Sequence, residues 1–526
     1  MRVSTIIAVF GLIISACAQA DKAQNPVIYA DVPDMSMIRV GDTYYMSSTT
    51  MHLSPGLPIM KSKDLVNWQI ASYAYDILED KDELNLVNNK SAYGGGSWAS
   101  SLRYHNGVFY VTTFSLTTGK TYIFTTTNIE SGKWTVSSFR PALHDHSLFF
   151  EDGKVYMVYG AGDIRLVELN QSLDGIKPGG INQVIITNAS RVAGSNVGLP
   201  AEGSQLFKVN GKYYLFNITW PRQGMRTVII HRADRITGPY EGRVGLQDKG
   251  VAQGGIVDTP DGRWFAYLFR DSGAVGRVPY LVPVQWVDGW PVLGVNGKVP
   301  DTLDLPPEKG LTPGIVNSDE FDRPPNAPNL PLVWQWNHNP VPDCWSLTAR
   351  PGFLRLITSR VDTDFLRARN MLTQRTIGPE CSAAVSVDIS NIKEGDCAGL
   401  ALLQKNYGFV GVKSEDGTNY VVMINAQSGA PSEIERVVLN QKTVFLKAEC
   451  NFRNSADTAA FYYSLDGRSW TPIGNKLKMR YTIPHFMGYR FALFNYATKT
   501  PGGFADFDFF RITDKIQSES LRALNK

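Results

Sequence analysis

Cysteine is scarce in this chain of 526 residues, five in all, and histidine numbers only seven. Cys344, Cys381, Cys397 and Cys450 all fall in the last third, and none has the paired spacing of a zinc site. Four cysteines allow three complete pairings, and buried free thiols are the other reading. Charge of either sign is also in short supply as an excess: 52 basic and 49 acidic residues leave +3, with no basic block. That excludes nucleic acid as a natural partner. After the first twenty residues no apolar run is long enough to span a bilayer as a helix. A G-x-S-x-G elbow, a P-loop and a dinucleotide fingerprint are all missing from credible contexts.

The first twenty residues read as a targeting segment. Arg2 precedes an apolar run from Ile6 to Ile14, followed by two competing cleavage signals. Ile14-Ser15-Ala16-Cys17 has the form of a bacterial lipobox, whereas Ala18-Gln19-Ala20 is an ordinary small-residue site. Both predict an exported protein of a bacterium, periplasmic or held at the outer membrane by a lipid on Cys17. In that setting the sequons at Asn89, Asn170, Asn188 and Asn217 carry no message.

Glycine, proline and aromatic residues are plentiful: 47 Gly, 29 Pro and 11% aromatics. They are also ordered. A turn containing glycine and followed by an aromatic-rich strand recurs as VGDTYYMS, HNGVFYVT, EDGKVYMV, VNGKYYLF and PDGRWFAY. The glycines are Gly41, Gly107, Gly153, Gly211 and Gly262, spaced by 66, 46, 58 and 51 residues. A tight hairpin needs positive φ where each glycine sits. A period of this size predicts one small antiparallel sheet per repeat, hence a five-bladed β-propeller. A β-sandwich with five hairpins is the alternative.

The innermost strand of each blade should precede its turn. Counting back seven to nine residues from each glycine reaches Asp34, Trp98, Asp145, Glu202 and Gln253. Three carboxylates at positions that are normally apolar need a reason, because unpaired buried charge is costly. Glycoside hydrolysis supplies one. A carboxylate base activates water, a carboxylic acid protonates the leaving oxygen, and a third acid raises the proton affinity of the donor. Trp98 offers a flat face for a sugar ring. Acids that merely cap turns or pair with arginine at the channel mouth are the bland reading, as is a glycan-binding propeller without catalysis. His144-Asp145-His146 also invites a metal reading, but in a strand the two histidines would share one face and Asp145 the other.

In combination these stretches resemble glycoside hydrolase family 43. ADVPDMSMIRVGDTYYMSSTT is similar to the family's first blade, which makes Asp34 the general base. HDHSLFFEDGKVYMVYG is similar to the third-blade segment whose acid tunes and orients the proton donor, here Asp145. PAEGSQLFKVNGKYYLF resembles the fourth-blade segment of the general acid, here Glu202. GGSWASSLRYHNG places Trp98 at the sugar, and GAVGRVPYLVPVQWVDGWP places Arg277 there. The resemblance implies a five-bladed propeller and an exo-acting enzyme that inverts the anomeric centre and needs no cofactor for catalysis. Its substrate would be an oligosaccharide or polysaccharide of plant hemicellulose, with terminal α-L-arabinofuranose expected first and β-D-xylose second. Many members hold an axial calcium beside a histidine. This chain reads Ala252-Gln253-Gly254-Gly255 where H-Q-G-G is usual, and Met35 where proline usually follows the base. Gln253, with its amide, is left to bind substrate, water or an ion. His52, in the loop after the first blade's strand, and Trp220, in a polar-aromatic loop, are expected at the pocket rim.

From 301 the chain turns proline-rich and polar, and then strands alternate again: FLRLITSRV, SAAVSVDIS, GLALLQ, GFVGVK, YVVMIN, VFLKAEC, TAAFYYSLDGRSW and ADFDFFRI. This predicts a lectin-like β-sandwich. The expected organisation is all-β: targeting segment 1–20, propeller 21–300, linker 301–316 and sandwich 317–526. The resemblance adds that the sandwich packs on the propeller and lends a loop to its active site. Glu320 and Asp508, with neighbouring acids, are expected to share a structural calcium through oxygen ligands. Trp334 and Trp336 are expected to fill the interface.

Overall fold

The computed structural model describes residues 22–324, 326–327 and 329–516. The targeting segment expected at 1–20, with Cys17, lies outside them.

Five four-stranded antiparallel sheets follow one another along the chain. Their inner strands are Ser36–Val40, Ser101–His105, Ser147–Glu151, Val197–Val209 and Ala252–Asp258. Each runs into its second strand through the glycine turn picked out in the sequence. Register confirms it: Val40 pairs with Thr43, His105 with Val108, Glu151 with Lys154, Val209 with Lys212 and Asp258 with Trp264. These are the five blades of a propeller.

The blades are joined around the axis by a repeated hydrogen bond. Leu102 N–H donates to Ser36 Oγ (2.9 Å), Leu148 N–H to Ser101 Oγ (3.1 Å) and Leu206 N–H to Ser147 Oγ (3.0 Å). Each serine opens an inner strand and satisfies a backbone donor of the next blade, a donor that would be costly if buried alone. Gln205 stands in the fourth-blade place of these serines. Its amide accepts from Ser36 Oγ (3.2 Å) and donates to Ser100 O (3.2 Å), crossing the axis. The Arg103 guanidinium fills the same region, donating to Leu148 O (2.9 Å), Ser147 Oγ (2.7 Å) and Leu102 O (2.7 Å). The propeller axis is therefore polar and hydrogen-bonded, while the greasy contacts lie between blades.

The ring closes between blades five and one. Ala23–Gln24 pairs with Thr302–Leu303, so part of the expected linker is a strand against the chain's first described residues. The following stretch packs along blade one: Ile315 and Val316 are fully buried, and Ile70 N–H donates to Gly314 O (3.1 Å).

The C-terminal part is a sandwich of an eight-stranded and a seven-stranded sheet. The edge of the larger sheet is formed by the propeller: Leu53–Ser54, from the loop of blade one, pairs with Trp336 and Asn337. Trp334 and Trp336 are buried, and the Trp334 indole donates to Asp319 Oδ2 (2.9 Å). The two units thus share a continuous sheet as well as an apolar interface.

His52 precedes that shared strand and corrects an expectation. It is 1% exposed and stands inside the interface, not at the pocket rim. Its Nε2 bonds Asn337 Oδ1 (3.1 Å), and its ring lies 4.5 Å from His338 and 4.7 Å from Tyr93. Tyr93 in turn stacks on His485 at 4.0 Å. The residue is buried because the sandwich covers the loop that bears it.

The expected calcium pair lies together, burial raising the Asp508 carboxyl and the Glu320 charge adding to the rise, but a basic residue stands beside it. Both Glu320 oxygens accept from Arg511 (2.8 Å each), so a guanidinium takes up that carboxylate, and Asp506 is held by Arg355 (2.7 and 2.9 Å). The sequence reading overlooked that Asp508 and Arg511 lie on one strand, which puts the basic residue within reach of the same acids.

Burial pushes the three interface histidines below their ordinary range, His52 to about 3 and His485 to about 2, with His338 lowered likewise. The unfolded chain binds protons at these sites below about pH 6.5 and the folded one does not. Stability should therefore be undiminished by them above pH 6.5 and fall as the pH drops toward 3. His52→Gln removes one such site and should flatten the dependence by about 1.4 kcal/mol per pH unit between pH 6 and 4. Urea unfolding at several pH values checks this; parallel curves for variant and wild type would contradict it.

Candidate active site

Two of the positions read as catalytic lie just before their inner strands, and the third, Glu202, lies within its strand opposite Ile218. Asp34 and Asp145 sit two residues before theirs, with φ of +51° and +46°. Gln253 has φ +56°, and both Glu202 and Gln253 fall at register shifts in their strands. Left-handed backbone at non-glycine residues is uncommon, tolerated best by Asp and Asn, and concentrates at functional sites. These bends break strict alternation and turn carboxylates toward the axis. They also explain why the His144-Asp145-His146 alternation does not hold. His144 and Asp145 approach one another (3.8 Å), while His146 is buried between Leu143 O (2.8 Å) and Thr112 Oγ1 (2.7 Å).

Arg277 anchors Asp34, the residue expected to be the base. Its Nη1 donates to Asp34 Oδ1 (2.9 Å) and Oδ2 (3.1 Å), and both side chains are 6% exposed. Burial lifts the Asp34 carboxyl above its ordinary value, and the Arg277 guanidinium pulls it back. The arginine is held in turn. Its guanidinium lies 4.2 Å from the Phe486 ring and 5.0 Å from the Phe269 ring, and Nε faces Asp271 Oδ1 at 3.4 Å.

Asp31, which the sequence reading missed, fixes the backbone here. It accepts from Arg277 N–H (2.8 Å) through one oxygen and from Gly488 N–H (2.9 Å) through the other. Glycine is required on both sides of it. A Cβ on Gly276 would stand 2.2 Å from Asp31 Oδ1, and one on Gly488 would stand 2.3 Å from Val275 O. Asp31 thereby ties blade five to the sandwich segment carrying Phe486.

Phe486 is the second residue that sequence reasoning did not name. It comes from the sandwich, has φ +52°, and stacks on Trp98 with centroids 5.5 Å apart. Trp98 is partly exposed, and its indole N–H has no hydrogen-bond partner among the described residues. No local signal marks Phe486; only the expectation that the sandwich lends a loop pointed to this region.

Glu202 stands beside Asp145. Asp145 accepts from Gly203 N–H (3.0 Å), and Ser204 N–H donates to Asp145 O (3.2 Å), so Asp145 joins the third blade to the backbone that follows Glu202 in the fourth. Burial pushes the Asp145 carboxyl to about 7, Glu202 and Asp34 adding to the rise and His144 and the Gly203 N–H opposing it. His144 Nε2 lies 3.1 Å from Glu202 Oε2. The donor atoms of His144, Asp145 and Glu202 all fall within 4.8 Å of one another, the one such group of metal-type donors among the described residues. The 3.1 Å contact makes it a hydrogen-bonded set.

Beneath the acids, Asp34, Asp145, Gln205 and Gln253 line a small cavity of about 10 Å³, room for a single water. Gln253 is 8% exposed and packs on Gly203, so it faces this cavity and not the open mouth. The residue that would bring an axial histidine is Ala252, fully buried and without a donor atom in its side chain. Trp220 is exposed, as expected of a rim residue, and Arg226 lies over its ring at 5.4 Å. Arg226 then pairs with Asp271 (2.7 Å), which links Trp220 to Arg277 and Asp34.

Residues 23–291 match the model of glycosyl hydrolases family 43, and residues 318–513 match that of the beta-xylosidase C-terminal concanavalin A-like domain. The chain belongs to glycoside hydrolase family 43. It is 27% identical to a beta-xylosidase of Formosa agariphila over 92% of this chain and 89% of that protein. It is equally 27% identical to a non-reducing end alpha-L-arabinofuranosidase of Bacteroides ovatus, over 84% and 83%. Among solved structures, a bifunctional GH43-CE of Bacteroides eggerthii is 65% identical, with a TM-score of 0.94 over 95% of this chain. The chain spans 64% of the length of that bifunctional protein.

Arg277→Met should remove the charge that opposes the rise of the Asp34 carboxyl. The acid limb of kcat/KM should then move to higher pH, and kcat/KM at pH 6 should fall about 100-fold. A pH profile of the purified variant measures both; an unmoved acid limb would contradict the assignment of Asp34 as the group that Arg277 tunes.

Proposed function

We propose that this family 43 hydrolase is an exo-acting, inverting enzyme that releases a terminal pentose from hemicellulose chains or oligosaccharides. The observation that carries the reading is the division of three carboxylates between two environments. Asp34 is locked to a permanent cation, as a base that must stay ionised requires. Glu202 and Asp145 are adjacent to each other, and Asp145 titrates near neutrality, as a donor and its tuner require. Water activated by Asp34 attacks the anomeric carbon while Glu202 protonates the departing oxygen. The proton taken by Asp34 and the proton lost by Glu202 are exchanged with solvent after the products leave.

The stacking of Phe486, from the sandwich, on Trp98 supports exo action, because the second domain then walls one side of the site. The partly exposed Trp98 ring is suited to the flat face of a sugar, and exposed Trp220 to the leaving-group sugar. For the pentose itself, β-D-xylose stands ahead of α-L-arabinofuranose, because of the two relatives described above the one aligned over the larger share of this chain is named a beta-xylosidase. The arabinofuranosidase relative keeps arabinofuranose as the second reading. A structural calcium remains a proposal, and on the axis it would have to manage without a histidine. The targeting segment supports an exported, periplasmic or lipid-anchored enzyme.

Glu202→Gln should lower kcat on both p-nitrophenyl pentosides about 1,000-fold or more with an unchanged thermal melt. Proton NMR of the wild-type reaction should show the inverted anomer first. Undiminished turnover in the variant, or a retained anomer, would sink the three-acid scheme.

A further inference from the structure

His144 is engaged with both acids of the donor side, yet the scheme above gives it nothing to do. Its Nε2 is 3.1 Å from Glu202 Oε2 and 3.8 Å from Asp145 Oδ2. The ring is fixed by packing: Phe114 lies at 5.2 Å and Trp98 at 6.3 Å between centroids. Its backbone is fixed too, since Gly160 N–H donates to His144 O (3.0 Å). The side chain is still 32% exposed, so it can exchange a proton with solvent.

The charged groups that face it are three acids: Glu202 from blade four, Asp145 beside it in the chain, and Asp34 from blade one. His146, two residues on, is buried and held below its ordinary range at about 4, so it adds no charge near neutral pH. Burial alone would lower His144, but the Glu202 hydrogen bond and the neighbouring acids raise it to about 8. Below that value a cation stands within 4 Å of both acids of the donor side.

We propose that His144 is a positioning residue for the proton donor, holding the Glu202 carboxyl through Nε2 and opposing the electrostatic influence of Asp145 on it. This rests on the reading of Glu202 as general acid. The chemistry follows from charge. When the glycosidic bond breaks, the donor's proton goes to the leaving oxygen and a carboxylate remains. A cation 3 Å away favours that ionised form, whereas an adjacent anion favours the protonated one. His144 shifts the balance toward release, and the activity range should end at lower pH as a consequence.

The test uses the full chain and whichever p-nitrophenyl pentoside the wild type hydrolyses faster. Profiles of kcat/KM from pH 4 to 10 are compared for wild type, His144→Gln and Asp145→Asn. His144→Asn is the second variant if Gln disturbs folding, judged by circular dichroism and thermal melting. The alkaline limb should move up by about one pH unit when His144 is neutralised, and down when Asp145 is neutralised. A merely structural histidine would lower kcat without moving the limb. An alkaline limb unmoved or moved downward in both His144 variants overturns the proposal. Glu202→Gln is measured alongside. If it remains active, the general-acid reading has failed; if it is inactive while the limb stays still, only the role of His144 has.

Discussion

The Asp34–Arg277 ion pair is the constraint on which the rest of this molecule turns. It joins blade one to blade five, and so closes the propeller at the carboxylate proposed as the base. A buried pair of this kind is costly to desolvate, and it is tolerable only when each partner is surrounded by further contacts. The structure provides them on all sides. Phe269 and Phe486 cover the guanidinium, Asp271 faces its Nε, and Asp31 grips the Arg277 backbone and the sandwich at once. Ring closure, domain docking and the poise of the base are one network.

That network is set in a polar frame. The serines that open three inner strands, with Gln205 in the fourth, exchange hydrogen bonds around the axis. The guanidinium of Arg103 occupies the space among them. Asp34 and Asp145 sit one step above, in left-handed bends that a regular strand could not supply, and Glu202 sits at a register shift in its strand. Electrostatics then separates their roles: one carboxylate faces a permanent cation, and two face each other across an imidazole that can change its charge.

Much of this was legible in the chain because hairpin geometry is local. A glycine that must adopt positive φ marks each turn, and the distance from turn to axis is set by strand length. Counting back from Gly41, Gly153 and Gly211 therefore reached Asp34, Asp145 and Glu202. What escaped lay in contacts between distant segments. Asp31 looks like any loop acid until Gly488 is brought beside it, and Phe486 like any sandwich residue until Trp98 lies under it. His52 was misplaced for the same reason: polar, in a loop beside the site, it reads as exposed until the sandwich covers it. Glu320 and Asp508 read as metal ligands only while Arg511, on the strand of Asp508, is ignored.

The strand at Leu53–Ser54 belongs to the first blade by sequence and to the second unit by hydrogen bonding, since its partners are Trp336 and Asn337. Synthesis runs from the N-terminus, so the ribosome delivers Leu53–Ser54 long before those partners exist. In the interval the propeller can hold every one of its carboxylates and still present a bare sheet edge and an uncovered Trp98. Completion waits for the segment around Phe486, almost the last of the described chain to emerge. The order of manufacture thus places closure of the reaction chamber at the very end, and makes the unfinished chain, with its open edge, the form most in need of protection from its neighbours.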